Sequence, residues 1–464
     1  MESQLDVLEM SHVKNFTIAF LLTVMTVTTM ILLSIKIGFP LPFTEQIGNV
    51  VTAVYIPVLF VLVLGKAPFA NNSNCRPYFV RFRRCQHAYM ALAIIYPYYK
   101  ALYDLIPLQY RKFTILMLPI WKFGAKYVVI GATRELEDFM PQLLSFTVDL
   151  YSSLLMSVCM SSAGSLFLSS LFIVVDVGQT ILKFHELRAN AFVVVQLLNQ
   201  QRLSQGFLQS ESSTESLELL AMILVVTRDP CASNIVSMRG VRLHACLPHP
   251  LPEERLKQLQ ILEASGLYCK NDTNNPRSAR QCNFISRCYN RTLVQPIEPN
   301  LVNISTRQST QTVAYHSEVS DVKAKNGKRS KELVLEGLQL LFHCEYLALV
   351  EYIECIVPTV YVTYMSILEM LPNIVYYPGG AGKWGVFAIL NIVLFAMFEI
   401  GSFLFLNHFI QRKFKVSPMY QVAFVFETQM YQVQSMLYIS LVLLLSYELA
   451  HQGVDFTFQF NWIR

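Results

Sequence analysis

Residues 16–35 read FTIAFLLTVMTVTTMILLSI: twenty positions without a charge, close to the length that crosses a bilayer as a helix. The run is longer than a signal-peptide core. It follows an acidic start (Glu2, Asp6, Glu9) and lacks an obvious small-residue cleavage site, so it reads as a retained first span. The rest of the chain agrees. Of its 464 residues 53% are hydrophobic and only 15% charged, with a mean hydropathy of +0.39, a composition that points to a membrane protein. The net charge of +5 is modest for this length and gives no footprint for nucleic acid. The bilayer is the first partner.

A second uncharged run, Ile47 to Leu64, ends in a basic stretch with Lys66, Arg76, Arg81, Arg83 and Arg84, which predicts the cytoplasmic side there. Between residues 88 and 130 the apolar sequence is interrupted by Pro97, Pro107 and Pro119 and by Lys100, Asp104, Lys122 and Lys126. Hydropathy does not separate spans, re-entrant pieces and interfacial helices in such a stretch. Lys100 and Asp104, four apart, could pair on one helix face. The region 139–184 is apolar again around Asp149, Asp176 and the small-residue stretch SSAGS at 161–165. It suits one long tilted helix or two spans, with the small residues allowing close helix approach.

From 185 to 330 the chain turns polar. LELLAMILVV is half a span in length and reads as a buried helix of a small module, and PEERLKQLQILEASG has proline at its first turn, acids at the positive dipole end and a glycine stop. Residues 268 to about 326, rich in Asn, Ser and Thr, read as a flexible insert. Ten cysteines are scattered without a C-x-x-C pair, and His244, Cys246 and His249 lack a fourth zinc ligand, so they read as loop residues. Next comes KAKNGKRSK, whose Lys323, Lys325, Lys328, Arg329 and Lys331 favour the cytoplasmic face and anionic lipid, at about 1 kcal/mol per charge near the surface. Sequons at Asn271, Asn290 and Asn303 compete with that assignment, while the basic loop QRKFK, two spans later, supports it. GGAGK, residues 379–383, lacks the spacing of a phosphate loop and is followed by Trp384.

The C-terminal trio, roughly 332–371, 385–409 and 418–447, carries acid inside apolar sequence. In HCEYLALVEYIECIVP, residues 343–358, helical spacing brings His343, Cys344, Glu351, Glu354 and Cys355 into an arc of about 120° and leaves Glu345 outside it. Pro358 would kink the helix. Asn391, Glu399 and Ser402 share a face of the second helix. On the third, Glu427 lines up with Gln434 beside a face of Gln421, Thr428 and Gln432, so three polar arcs are expected to meet. Each ionised acid at mid-bilayer costs about 2.5 to 3.5 kcal/mol, and the acids are therefore expected to be protonated, paired, hydrated or near headgroups. A proton or cation pathway, a metal site and simple pairing within the bundle all meet that requirement. The metal reading leans on the single Glu448-x-x-His451 spacing at the membrane edge.

The stretches LLFHCEYLALVEYIECIVPTVYVTY, LPNIVYYPGGAGKWG, QRKFKVSPMYQVAFVFETQMY, AKYVVIGATRELEDFMPQLL, ELLAMILVVTR and LPHPLPEERLKQLQILEASG resemble a large group of multi-pass membrane proteins of oomycetes. The resemblance runs from about Lys126 to the C terminus. It implies the architecture and attaches no activity.

The sequence thus predicts an all-α polytopic bundle of about seven to nine spans: a membrane region over 1–184, a helical cytoplasmic module over 185–330 and a three-helix membrane region over 331–464. An odd number of spans would put the N terminus inside and the C terminus outside. The expected function is transport or conduction along Glu351, Glu354, His343, Glu399 and Glu427. The alternative is a scaffold or receptor that recruits a cytosolic protein through its central module. With no nucleophile-base pair, complete metal signature or nucleotide loop, neither an enzyme nor a cofactor is expected.

Overall fold

A computed structural model describes residues 12–70, 76–107, 110–133, 139–161, 166–204, 219–228, 252–265, 314–377, 384–446 and 450–453, with a few single positions between them. Among these residues the chain is helical and forms no strand, apart from an isolated bridge between Met238 and Tyr268. The cysteines of the middle third, His244 and His249, the three sequons and Glu448 lie outside the described residues, as do the side chains of Asp104 and Lys323.

The helices are α1 (His12–Ile37), α2 (Thr44–Leu64), α3 (Arg76–Leu105), α4 (Arg111–Thr133), α5 (Met140–Ser161), α6 (Leu166–Ser204), α7 (Leu219–Arg228), α8 (Glu253–Ala264), α9 (Ala314–Glu369), α10 (Val386–Phe414), α11 (Pro418–Thr428) and α12 (Met430–Ser446). Seven of them, α1, α2, α4, α5, α6, α9 and α10, are long and apolar enough to cross a membrane. The protein is therefore a multi-pass, all-helical membrane bundle. The ambiguous stretch 88–130 resolves into α3 and α4, clasped where the Tyr99 hydroxyl donates to the Thr114 carbonyl. The region 139–184 resolves into two helices on either side of SSAGS.

The centre of the bundle is α5, buried along its whole length and touching α3, α4, α6, α9, α10 and α12. Its sequence accounts for that position. Gln142, Ser145, Thr147, Asp149, Ser152, Ser153 and Ser157 face several directions, and such a helix keeps its polar groups out of lipid only when protein surrounds it. Thr147 and Ser157 return their hydroxyls to the Leu143 and Ser153 carbonyls, at 2.5 and 3.0 Å. Between Ser145 and Asp149 the helix widens into one π turn. Such turns are rare and concentrate at functional sites.

By contrast α1 packs on α2 and is otherwise almost bare, as a lipid-facing hairpin should be. The start of α2 is tied to the far end of the chain, where the Phe43 amide donates to the Gly453 carbonyl at 3.2 Å. A side chain on Gly453 would strike the Leu41 carbonyl at 2.3 Å, and its φ of +59° favours glycine independently.

Three boundaries differ from expectation. Helix α6 continues through residues 184 and 185, the expected membrane–module border, and ends at Ser204. Helix α9 begins at Ala314, inside the expected flexible insert, and runs 56 residues, about 84 Å at 1.5 Å per residue. It stays helical through Pro358. The proline removes only the amide that would bond the Glu354 carbonyl, and the packing of α9 on α5, α6 and α10 holds the rest. The third segment of the trio is interrupted at Gln429, between α11 and α12.

The N-terminal half of α9, the C-terminal half of α6, the end of α10 and α7 share a second hydrophobic core, which includes Leu187, Leu198, Ile223, Leu333, Leu340 and Phe414. The expected buried helix LELLAMILVV thus packs on an arm made by extending two bundle helices. Gly337 on α9 leaves room for the side chains of α7, since a Cβ there would lie 2.7 Å from Ile223 Cδ1.

Candidate functional site

The acids of α9 point into the bundle, and lysines meet them there. Lys122, on α4, places its Nζ 2.7 Å from Glu354 Oε1 and 3.1 Å from Asp149 Oδ1. Lys183, on α6, reaches Glu354 Oε2 at 2.8 Å and Glu351 Oε1 at 3.4 Å. Lys126, one turn beyond Lys122, pairs with Asp149 Oδ1 at 2.9 Å and also bonds the Tyr346 hydroxyl. Tyr346 donates in turn to Asp149 Oδ2 at 3.2 Å. The second oxygen of Glu351 accepts from Ser402 Oγ at 2.5 Å. Helices α4, α5, α6, α9 and α10 therefore converge on one buried ionic network.

Burial is close to complete. The side chains of Asp149, Glu351, Glu354 and Lys122 are 0, 2, 3 and 7% exposed. Lys122 lies eleven residues from each end of α4, about 16 Å, and Asp149 stands in the middle third of α5. If these helices span a bilayer, the network lies within the hydrocarbon layer, where an unpaired charge costs most.

Two more acids complete it. Glu399, on α10, and Asp176, on α6, are both buried, and their carboxyl groups face each other. Carboxylate oxygens of Glu351, Glu354 and Glu399 lie within 4.8 Å of one another. Glu399 Oε2 has no hydrogen-bond partner. Three ammonium groups thus face five carboxyl groups, so full ionisation would leave two negative charges in the core. Above Glu399 on the same helix, Asn391 Nδ2 donates to Ser169 Oγ at 3.2 Å.

His343 stands apart from the acids, with Nδ1 3.1 Å from the Asn190 amide nitrogen, two turns down α9. Glu345, expected off the polar arc, also finds a partner inside: Gln142 Nε2 donates to its Oε1 at 2.6 Å. Glu427 is a correction. It is exposed, as are Thr428, Gln432 and Gln434, while α11 buries Val422 and Val425 instead. On α11 Val422 and Val425 take the interior, and Glu427 and Thr428 turn outward. His451 packs its ring on Tyr376, 4.6 Å between centroids, and lies away from the carboxylates.

Of the basic cluster, Lys325 and Lys328 are exposed and Arg329 and Lys331 half-buried, on the extended arm of α9. Lys331 is twenty residues from Glu351, about 30 Å. That distance equals a full hydrocarbon thickness, so a border half a bilayer from the network leaves these charges beyond it.

Sequence reasoning missed the lysines and Asp149 as partners. Its signal was the spacing of Lys122 and Lys126, four apart on one face of an apolar helix. Around α5 the hydroxyls of Ser145, Ser152 and Ser153 and Gln142 Oε1 are buried without a protein partner, each at a cost of about 1–3 kcal/mol unless water reaches it. Comparison of the chain with models of protein families, with curated proteins and with solved structures finds no match.

Proposed function

We propose that this multi-pass membrane protein is a non-enzymatic transport protein whose coupling site is the buried network of Lys122, Lys126, Lys183, Asp149, Asp176, Glu351, Glu354 and Glu399. The observation that carries this reading is the imbalance of three lysines against five buried acids. A network that only held helices together would gain from equal numbers, because each unmatched ionised acid in an apolar interior costs several kcal/mol. An excess of acid makes the site sensitive to a mobile cation. The unpartnered hydroxyls of α5 and its π turn beside Asp149 favour a hydrated path to it.

For orientation, the C-terminal ends of α6 and α10, the start of α9 and α7 share one end of the bundle, with Arg412 and Lys413 in the last turn of α10. The positive-inside rule assigns that end to the cytoplasm. The second reading, a scaffold, draws on the same arm. It projects exposed Lys325 and Lys328 far enough to meet an acidic cytosolic protein.

The test is cation and proton flux in liposomes that hold the purified protein, wild type beside Glu351→Gln. Glutamine keeps a partner for Ser402 and removes only the weaker lysine pair at 3.4 Å, so the variant should remain folded. Flux in the wild type that falls at least about tenfold in the variant, about 1.4 kcal/mol, supports the reading. No flux in either, with folding confirmed by size exclusion, would leave the scaffold.

A further inference from the structure

The five acids are not equivalent. Asp149 is matched by Lys122 and Lys126, and Glu354 by Lys122 and Lys183 on its two oxygens. Glu351 holds Lys183 with one oxygen and Ser402 with the other. Asp176 and Glu399 remain. Neither takes part in an ion pair among the described residues, both are buried, and each faces the other across the α6–α10 contact.

We propose that Asp176 and Glu399 form an exchangeable proton site, with one proton held between the two carboxyls and released as the site opens to water. Two carboxylates facing each other in an apolar core repel strongly, and one proton removes a charge and supplies the hydrogen bond. The unpartnered Oε2 of Glu399, on a residue 3% exposed, points to the same ligand: it is an oxygen in the acid cluster that no protein donor serves.

A metal ion fits less well. Glu351 and Glu354 would be its remaining ligands, yet their oxygens already serve Lys183, Lys122 and Ser402, and the ion would sit beside the Lys183 ammonium. The charged and titratable groups around the pair are Lys183 on α6 and Lys122 on α4, which act on Asp176, and Glu351, Glu354 and Cys355 on α9, which act on Glu399. Lys183, on the same helix as Asp176, interacts with Glu351, Glu354 and Asp176. Its swing toward Asp176 as the proton leaves would link proton exchange to the α6–α9 contact.

The assignment deepens the transport reading, but the site can be tested without transport. Dicyclohexylcarbodiimide reacts with carboxyls that hold their proton in apolar surroundings. Full-length wild-type protein in proteoliposomes would be treated across a pH series, with modified peptides quantified by mass spectrometry. Glu399 or Asp176 should be labelled at least about tenfold more than the doubly paired Glu354, and the labelling should fall about tenfold per pH unit once the site titrates. Added sodium or magnesium should leave it unchanged.

Equal labelling of Glu354, no labelling of the pair, or protection by a metal ion would each overturn the proposal, the last in favour of a metal site. Labelling without flux would retain the proton site and refute transport. Flux without labelling would do the reverse. Glu399→Gln, isosteric and able to bond Asp176, should keep the fold and abolish labelling at both positions.

Discussion

Glu354 is the keystone of the ionic network, and its removal should cost more than removal of either lysine that holds it. Glu354→Gln leaves two ammonium groups, previously 2.7 and 2.8 Å from its oxygens, with less charge to meet. Lys122 keeps Asp149, but Lys183 is left with Glu351 at 3.4 Å. Breaking a buried pair from one side costs about 3–5 kcal/mol, and two lysines losing a partner at once places this variant near the upper figure. Lys122→Met should fall near the lower figure, because Asp149 retains Lys126 and Glu354 retains Lys183. Combining the two changes should cost less than their sum by about 0.5–3 kcal/mol, since the double variant removes both ends of the 2.7 Å pair. The assay is equilibrium unfolding in a fixed detergent, followed through a double-mutant cycle. Equal losses in the two single variants, or strict additivity in the double, would refute the claim that these groups act as one network.

Other outcomes follow from placement. Glu427→Gln should leave both flux and stability within about 0.5 kcal/mol of wild type, because the residue is exposed and outside the network; measurable loss of flux would return it to the pathway. Gly337→Leu should separate α7 from α9 at an overpacking cost of about 1–3 kcal/mol, read as faster proteolysis between residues 204 and 314 with flux retained. Cys159, Cys344 and Cys355 are buried, so a maleimide should modify them slowly in the folded protein and rapidly in dodecyl sulfate. Fast modification of Cys355 in the folded state would reveal a water path beside Glu351 and Glu354.

What the sequence made legible follows from what period and composition encode. The α9 acids could be read because one helix fixes their relative angles, and Asn391, Glu399 and Ser402 share the inward side of α10 for the same reason. The same logic misplaced Glu427. Polar residues recur on one side of α11, but angular spacing does not say whether that side or the apolar one turns inward, and the break at Gln429 resets the phase before Gln434. The lysines were harder for a different reason. A hydropathy window counts Lys122 as a penalty on its own span, whereas its partner Glu354 lies 232 residues away. The pair becomes visible only when α4 and α9 are docked against α5.

Helix α5 itself explains why the centre of the site was hidden. A helix whose polar residues are spread around its circumference has no single outward face, and its sequence resembles an interrupted span with nothing to mark it as the hub. The missing amphipathicity was the signal. In a membrane a helix with polar groups on every side must be enclosed, and whatever encloses it must answer Asp149 with positive charge. Lys122 and Lys126 are the answer on α4, and they in turn draw Glu354 inward. Lys183 then ties Glu354 to Glu351, leaving the Asp176–Glu399 pair without a lysine of its own. An added positive charge there would make the network more nearly neutral, so Asn391→Lys, one face and two turns from Glu399, should stabilise the folded state while suppressing proton exchange. Increased stability with exchange intact, measured by carbodiimide labelling on the same preparation, would show that the acid excess serves something other than a proton.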